Sequence, residues 1–259
     1  MKPIRIFAIA GIMLLLYSCV NQNNGLNVVN SESFPDRNIL IDPLVNQRLA
    51  TDLISENPEE NSFVQKVGEI TNQVNQLRQN RTDNLWNSVS ASLVELEKEA
   101  VALPEDSMQT ATLQKWAELN IQLLKLSGEV RFGDALENLL YKRRLPVLTE
   151  KQLKSVVYTH VDDQIFLNIL VSSSVTHHHT TGGTVRLIQQ TSYPKSNEMI
   201  LRVESGDVRY MDVFIRIPSW AVNPTVTHGN VKYVARPGEY CEIPRKWKNG
   251  DEINVSLVN

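Results

Sequence analysis

Between residues 182 and 259, apolar and polar side chains alternate one by one in segments set off by turn-forming residues. No other feature limits so strongly what this chain can fold into. Val213, Ile215 and Ile217 alternate with Asp212 and Arg216, and Ile253, Val255 and Leu257 alternate with Glu252, Asn254 and Ser256. A period of two places one set on a core and the other toward water, the pattern of half-buried strands. His228-Gly229-Asn230, Pro237-Gly238 and Asn249-Gly250-Asp251 supply turns between them. The pattern predicts an antiparallel β-sandwich.

The region before it follows a helical period. Phe63, Val67, Ile70, Val74 and Leu77 step by four and three, forming one apolar seam that Ser62 and Gln65 would open as a capping box. After the polar break Asn80 to Asn84, a second seam runs through Trp86, Val89, Leu93, Leu96 and Ala100, and Pro104 stops it. Two antiparallel helices packed seam to seam are the simplest arrangement. A third helix, about Ala111 to Leu126, carries Leu113, Trp116, Leu119, Ile121, Leu123, Leu124 and Leu126 nearly all round and belongs between neighbours. Gly128 ends it, Asp134 with Glu137 opens a fourth helix, Pro146 closes that one, and Thr149 starts a short helical piece before strands begin near Val156. The fold class is α+β, a helical bundle followed by a sandwich.

At the amino terminus Lys2 and Arg5 precede an apolar run, Ile6 to Leu16, too short to span a bilayer comfortably, and then Leu16-Tyr17-Ser18-Cys19. This resembles a bacterial lipobox, which implies cleavage before Cys19 and acylation of its thiol. The expected organisation is a lipoprotein signal peptide (1–18), a tether and irregular segment (19–60), a helical domain (61–154) and a β-sandwich domain (155–259). Residues 20 to 33, rich in Asn and Ser, read as a flexible tether. The expected location is the cell envelope, as an outer-membrane lipoprotein held to the membrane by its lipid, facing periplasm or surface. A net charge of -3 without a basic stripe excludes nucleic acid as a partner.

Gly183 to Pro194, then Phe214-Ile215-Arg216-Ile217-Pro218-Ser219-Trp220-Ala221, then Gly238-Glu239-Tyr240 and Arg245-Lys246-Trp247-Lys248-Asn249-Gly250-Asp251 resemble the β-sandwich region of the β-L-arabinofuranosidase glycoside hydrolases. Tyr158 to Asn168 resembles that family's first sandwich strand, and Leu126 to Tyr141 a late helical hairpin of its catalytic barrel. The resemblance implies a zinc-bound cysteine thiolate as nucleophile, with further cysteines and a glutamate as ligands and another glutamate as general acid/base. This chain has two cysteines, of which Cys19 is the expected lipid anchor, so it cannot build that site. No catalytic residue and no cofactor are therefore expected.

Other candidates are weaker. Cys241 alternates with polar neighbours and reads as a small core thiol. Asp162 and Asp163, read as consecutive strand residues, point to opposite faces and cannot flank one glycosidic bond. Glu118 and Glu137 lie on the helical part and read as solvated or capping. His177 and His179 share a face of an extended segment and could bind metal with a third ligand such as His160, against the plainer reading of a solvated strand edge. Trp220, Tyr240 and Trp247 are candidate sugar-stacking rings, against the plainer reading of core packing. Three functional readings follow: a lipid-anchored, glycoside-hydrolase-like protein of arabinose-glycan processing without a complete active site; a divergent hydrolase with carboxylates from the helices; and a structural lipoprotein. A glycan and a partner protein supplying a catalytic barrel are the expected associates of the first.

Overall fold

The computed structural model describes residues 27–28, 31–33, 58–80, 82–102, 108–141 and 147–258. The lipobox, Pro104 and Pro146 lie outside them.

Among the described residues, five helices follow two short strands: α1 (Pro58–Gln79), α2 (Asp83–Ala102), α3 (Thr110–Ser127), α4 (Val130–Tyr141) and α5 (Glu150–Val157). Phe63, Val67, Ile70, Val74 and Leu77 of α1 are buried, as are Val89, Leu93 and Leu96 of α2, so the two seams meet as their spacing predicts. α1 starts four residues before Ser62, and Gln65 donates to Glu69 Oε1 (2.9 Å) rather than reaching back as a cap. Proline is tolerated in a first turn, where its missing N–H costs nothing. α3 is buried on most of its surface and packs on α1, α4 and α5. No side chain of its own caps it. Instead Glu60 of α1, buried, accepts from Gln109 N (2.7 Å) and Thr112 Oγ1 (2.5 Å), placing a carboxylate where the orphan N–H groups and the helix dipole favour one. Gly128, at φ 68°, closes α3 with its N–H on Leu124 O (2.8 Å). Thr149 and Gln152 form the capping box of α5.

Among the described residues, twelve strands build two sheets. β1 (Asn27–Val28), β3 (Tyr158–Val161), β4 (Gln164–Leu167), β8 (Arg209–Arg216) and β11 (Tyr240–Trp247) lie in that order in the first. The second runs β10 (Val231–Tyr233), β9 (Thr225–His228), β12 (Glu252–Ser256), β7 (Glu198–Ser205), β6 (Thr184–Thr191), β5 (Ser173–His178) and β2 (Ser31–Ser33). All pairs are antiparallel except β4 with β8. The stretch expected to be a free tether thus contributes β1 and β2, because the backbone edges of β3 and β5 accept short partners there.

Register explains the core. Ile165, Val213 and Ile243 stand in one row and Leu167, Ile215 and Cys241 in the next, all buried together with Val185, Leu187, Leu201, Val203, Ile253 and Val255 of the second sheet. The other parity of β8 departs from the simple alternation. Phe214 and Arg216 are buried as well, and Phe214 stacks on Phe166 (centroids 4.5 Å apart). At Arg216 the cover is α4, so the first sheet is closed on both faces where helices and sandwich meet.

Candidate functional site

That junction holds a buried polar constellation. Arg216 ends β8 with its side chain 1% exposed. Its guanidinium is ion-paired to Asp134 through Nη1 and to Glu137 through Nη2, and Nε donates to Asn168 O (2.5 Å). The two carboxylates lie three residues apart on one face of α4. They are therefore not the helix-opening signal that the sequence suggests: α4 begins at Val130, and both reach the sandwich from its interior. Gly133, just before Asp134, leaves room for the arginine: a Cβ there would sit 2.6 Å from Arg216 Cδ. Asp134 Oδ2 also accepts from Ser219 N (3.1 Å) and Ser219 Oγ (2.6 Å), and Glu137 Oε1 accepts from Leu170 N (2.9 Å). Asn168 extends the network: its side chain donates to Val156 O (2.9 Å) and Thr159 Oγ1 (3.0 Å) and accepts from Tyr240 Oη (2.6 Å). Burial works against the charge on Arg216, but the Glu137 and Asp134 carboxylates outweigh it and hold the guanidinium charged. Burial pushes the Glu137 carboxyl up, against the opposing pull of Arg216. Glu137 is 3% exposed and sealed in this network, and Glu118 is a surface side chain accepting from Gln152 Nε2 (3.2 Å), so these two do not form a carboxylate pair around a common space.

A second cluster surrounds Asp163. Asp162 and Asp163 form the tight β3–β4 turn rather than consecutive strand positions, with Asp162 in the left-handed region at φ 48°. Asp163 Oδ1 accepts from His177 Nε2 (2.9 Å) and Thr180 N (3.0 Å), Oδ2 accepts from Thr180 Oγ1, and His179 Nε2 lies 3.3 Å away. His177 and His179 do share a face, but that face is buried, and only His178 between them is exposed. His179 Nδ1 accepts from Thr181 N (3.1 Å), which fixes the proton on Nε2, where it is donated to Tyr210 O (2.9 Å). The His160 ring packs against His177 (5.2 Å) while its Nδ1 is bonded to Asp162 O (3.1 Å). The ring nitrogens of His179 are thus committed to protein partners. Among the described residues no group of three or more His, Cys, Asp or Glu side chains is placed to hold a metal.

The three ring candidates separate. Trp247 is fully buried, with its Nε1–H on Met211 O (2.9 Å), which corrects the sugar-stacking expectation: a ring without an exposed face cannot stack on a sugar. Tyr240 has its hydroxyl on Asn168 and its ring edge-on to Phe166 (5.6 Å), so it is a packing element of the junction. Trp220 is 40% exposed and lies parallel to Tyr193 (5.9 Å, 10°), which in turn meets Tyr141 edge-on (4.9 Å). Cys241 is fully buried in β11, its thiol pushed up to about 12 by burial and by the Glu242 carboxylate. A sulfur held protonated on the buried face of its strand, without a second cysteine among the described residues, does not fit the multi-sulfur zinc centre that the resemblance implies. Arg216, Asp134 and Gly133 lie within the runs that resemble the family, but nothing in the sequence pairs them with one another. The available signal was a charged residue flanked by Phe214, Ile215 and Ile217, apolar on both strand parities, which marks a sheet covered on two sides.

Residues 164–258 match the family model described as β-L-arabinofuranosidase, GH127 middle domain. Among solved structures the fold is similar to a glycoside hydrolase (TM-score 0.52, 18% identity, covering 60% of this chain and 34% of that one). It is also similar to a GH127 β-L-arabinofuranosidase from Geobacillus stearothermophilus T6 (0.50, 20%, 60% and 32%) and to a further GH127 β-arabinofuranosidase (0.51, 21%, 60% and 33%). No curated protein matches the chain by sequence. The resemblance read from the sequence therefore holds for the C-terminal part of the chain, which spans about a third of the length of these structures.

Proposed function

We propose that this chain is a lipid-anchored, glycoside-hydrolase-like protein of arabinose-glycan processing that has no complete active site of its own. The observation that carries the reading is the middle-domain match over residues 164–258 in a chain with two cysteines, one of them sealed in β11. A thiolate nucleophile needs a metal or neighbouring charge to lower its pKa, and Cys241 is displaced the opposite way. A companion protein that supplies a catalytic barrel is part of this proposal, because the cysteine set that the resemblance implies is not present in these residues. Cys19 is the proposed acylation site, and no helix of the described residues is long and apolar enough to cross a membrane. Two or more acyl chains would anchor the chain stably.

Two measurements test this. Purified protein incubated with an aryl β-L-arabinofuranoside releases no phenol above the blank, with or without added zinc, and binds arabinose-containing oligosaccharides. Clear turnover would overturn the inactive reading. In a bacterial host, labelled fatty acid is incorporated into the native chain and not into Cys19→Ser, and equal labelling of both would remove the anchor.

A further inference from the structure

One aromatic side chain is held rigidly and yet left open. Trp220 follows the buried Pro218, and the backbone on both sides of it is pinned: Ile217 N donates to Glu239 O (2.9 Å), Ala221 N to Pro218 O (3.1 Å) and Val222 N to Leu257 O (2.9 Å). Ser219, its neighbour, is tied to α4 through both its N–H and its hydroxyl on Asp134. The ring itself is backed by Tyr193, and Tyr193 by Tyr141, whose hydroxyl donates to Leu170 O. Two rings from separate parts of the chain, Tyr193 directly and Tyr141 behind it, thus back the indole while leaving 40% of that residue in water. Val222 (53% exposed) and Val258 (43%), bridged to each other, continue the apolar skin beside it.

We infer that the open face of Trp220 is a stacking platform for one sugar ring of an arabinose-containing glycan, with Asp134 and Ser219 at its edge receiving ring hydroxyls. This rests on the glycan half of the proposed function and names the place where the glycan sits. A sugar ring presents an apolar C–H face and a polar rim, and it is matched by a flat π surface with oxygen acceptors beside it. Asp134 supplies such an acceptor: a carboxylate has about four acceptor positions, and its bonds to Arg216 and Ser219 leave room for another. Fixing the ring in advance removes the ordering cost that a mobile side chain would add on binding. The position also follows from the fold, because the Arg216 network is what holds Ser219, and so the start of this segment, against α4.

The test is a titration of the full chain with arabinose-containing oligosaccharides and, as a control, a glucose polymer, followed by calorimetry and indole fluorescence alongside thermal unfolding. The native chain binds the arabinose-containing ligand, Trp220→Ala weakens binding by about tenfold or more at an unchanged unfolding midpoint, and Trp220→Phe recovers part of it. Native binding with no loss in Trp220→Ala overturns the platform and spares the function. No binding by the native chain overturns both. If Trp220→Ala lowers the midpoint, Trp220→Phe decides, and a folded Trp220→Phe that binds no better than Trp220→Ala counts against stacking. Self-association that Trp220→Ala abolishes, without glycan binding, assigns the face to protein contact and also overturns it.

Discussion

Arg216 and Asp163 each gather several partners around one charged group, but they do so in opposite environments. Arg216 is shut between α4 and β8 with two carboxylates, and among the described residues Glu137 Oε2 remains buried without a hydrogen-bond partner. Asp163 sits in a turn at the sandwich's rim, its side chain 20% exposed, with the His177 ring and the Thr180 N–H and hydroxyl as its donors. Water can replace any partner that Asp163 loses, whereas nothing can replace those of Arg216. The same kind of constellation is therefore a stability-critical joint in one place and a modest local clamp in the other.

The difference is sharpest if the cation is removed. Arg216→Met leaves Glu137 buried and uncompensated and is expected to cost about 3–5 kcal/mol in urea unfolding. Adding Glu137→Leu should return much of that loss, since an apolar pair of similar volume is tolerated better than half an ion pair. A cost below 1 kcal/mol for the single variant would mean that water reaches this junction and would erase the contrast with Asp163. Gly133→Ala probes the same joint by volume. Its Cβ would stand 2.6 Å from Arg216 Cδ and 2.8 Å from Nε, both far along a long side chain that is itself pinned at three points. The expected cost is about 1–3 kcal/mol, and no change would show that the guanidinium can step aside without losing its carboxylates.

The contrast also marks how far the sequence could be read. Elements with one buried face were legible, because a single period reports a single face: the seams of α1 and α2, and Ile253 and Val255 in β12 with Leu257 just after it. Arg216 was misassigned because its strand is covered twice, and alternation carries no information about a second layer supplied by α4. Asp134 and Glu137 looked like a helix start for the same reason, an acidic pair being ambiguous between a cap and a cross-layer partner. His177 and His179 were assigned to one face correctly, but whether that face was wet depended on the β3–β4 turn some fifteen residues earlier and on Tyr210, neither of which local spacing encodes. Trp220 and Trp247 could not be told apart, since exposure of an aromatic ring near a turn is decided by what folds over it.

The Asp163 clamp should show its smaller effect mainly as a dependence on pH. Burial lowers the pKa of His177 below its ordinary 6.5, outweighing the hydrogen bond it donates to Asp163, and neighbouring His160 and His179 act in the same direction as burial. The unfolded chain then takes up a proton near pH 6.5 that the folded one refuses, so His177 makes stability fall as pH drops from 6.5 toward its folded value. Asp163 lies below its ordinary 3.8: burial would raise it, and the bonds from Thr180 and His177 more than compensate. Its contribution is complete above pH 3.8 and is lost as pH falls through the lower folded value. Two separate limbs are expected in a plot of stability against pH. His177→Gln should flatten the upper one. Asp163→Asn should cost about 1 kcal/mol at pH 7, a charge-assisted bond discounted for its solvent contact, and lose less than the native chain below about pH 4. Parallel curves for native and Asp163→Asn from pH 7 to pH 3 would mean that the hairpins hold together without this carboxylate's charge, leaving Arg216 as the one electrostatic joint of the pair.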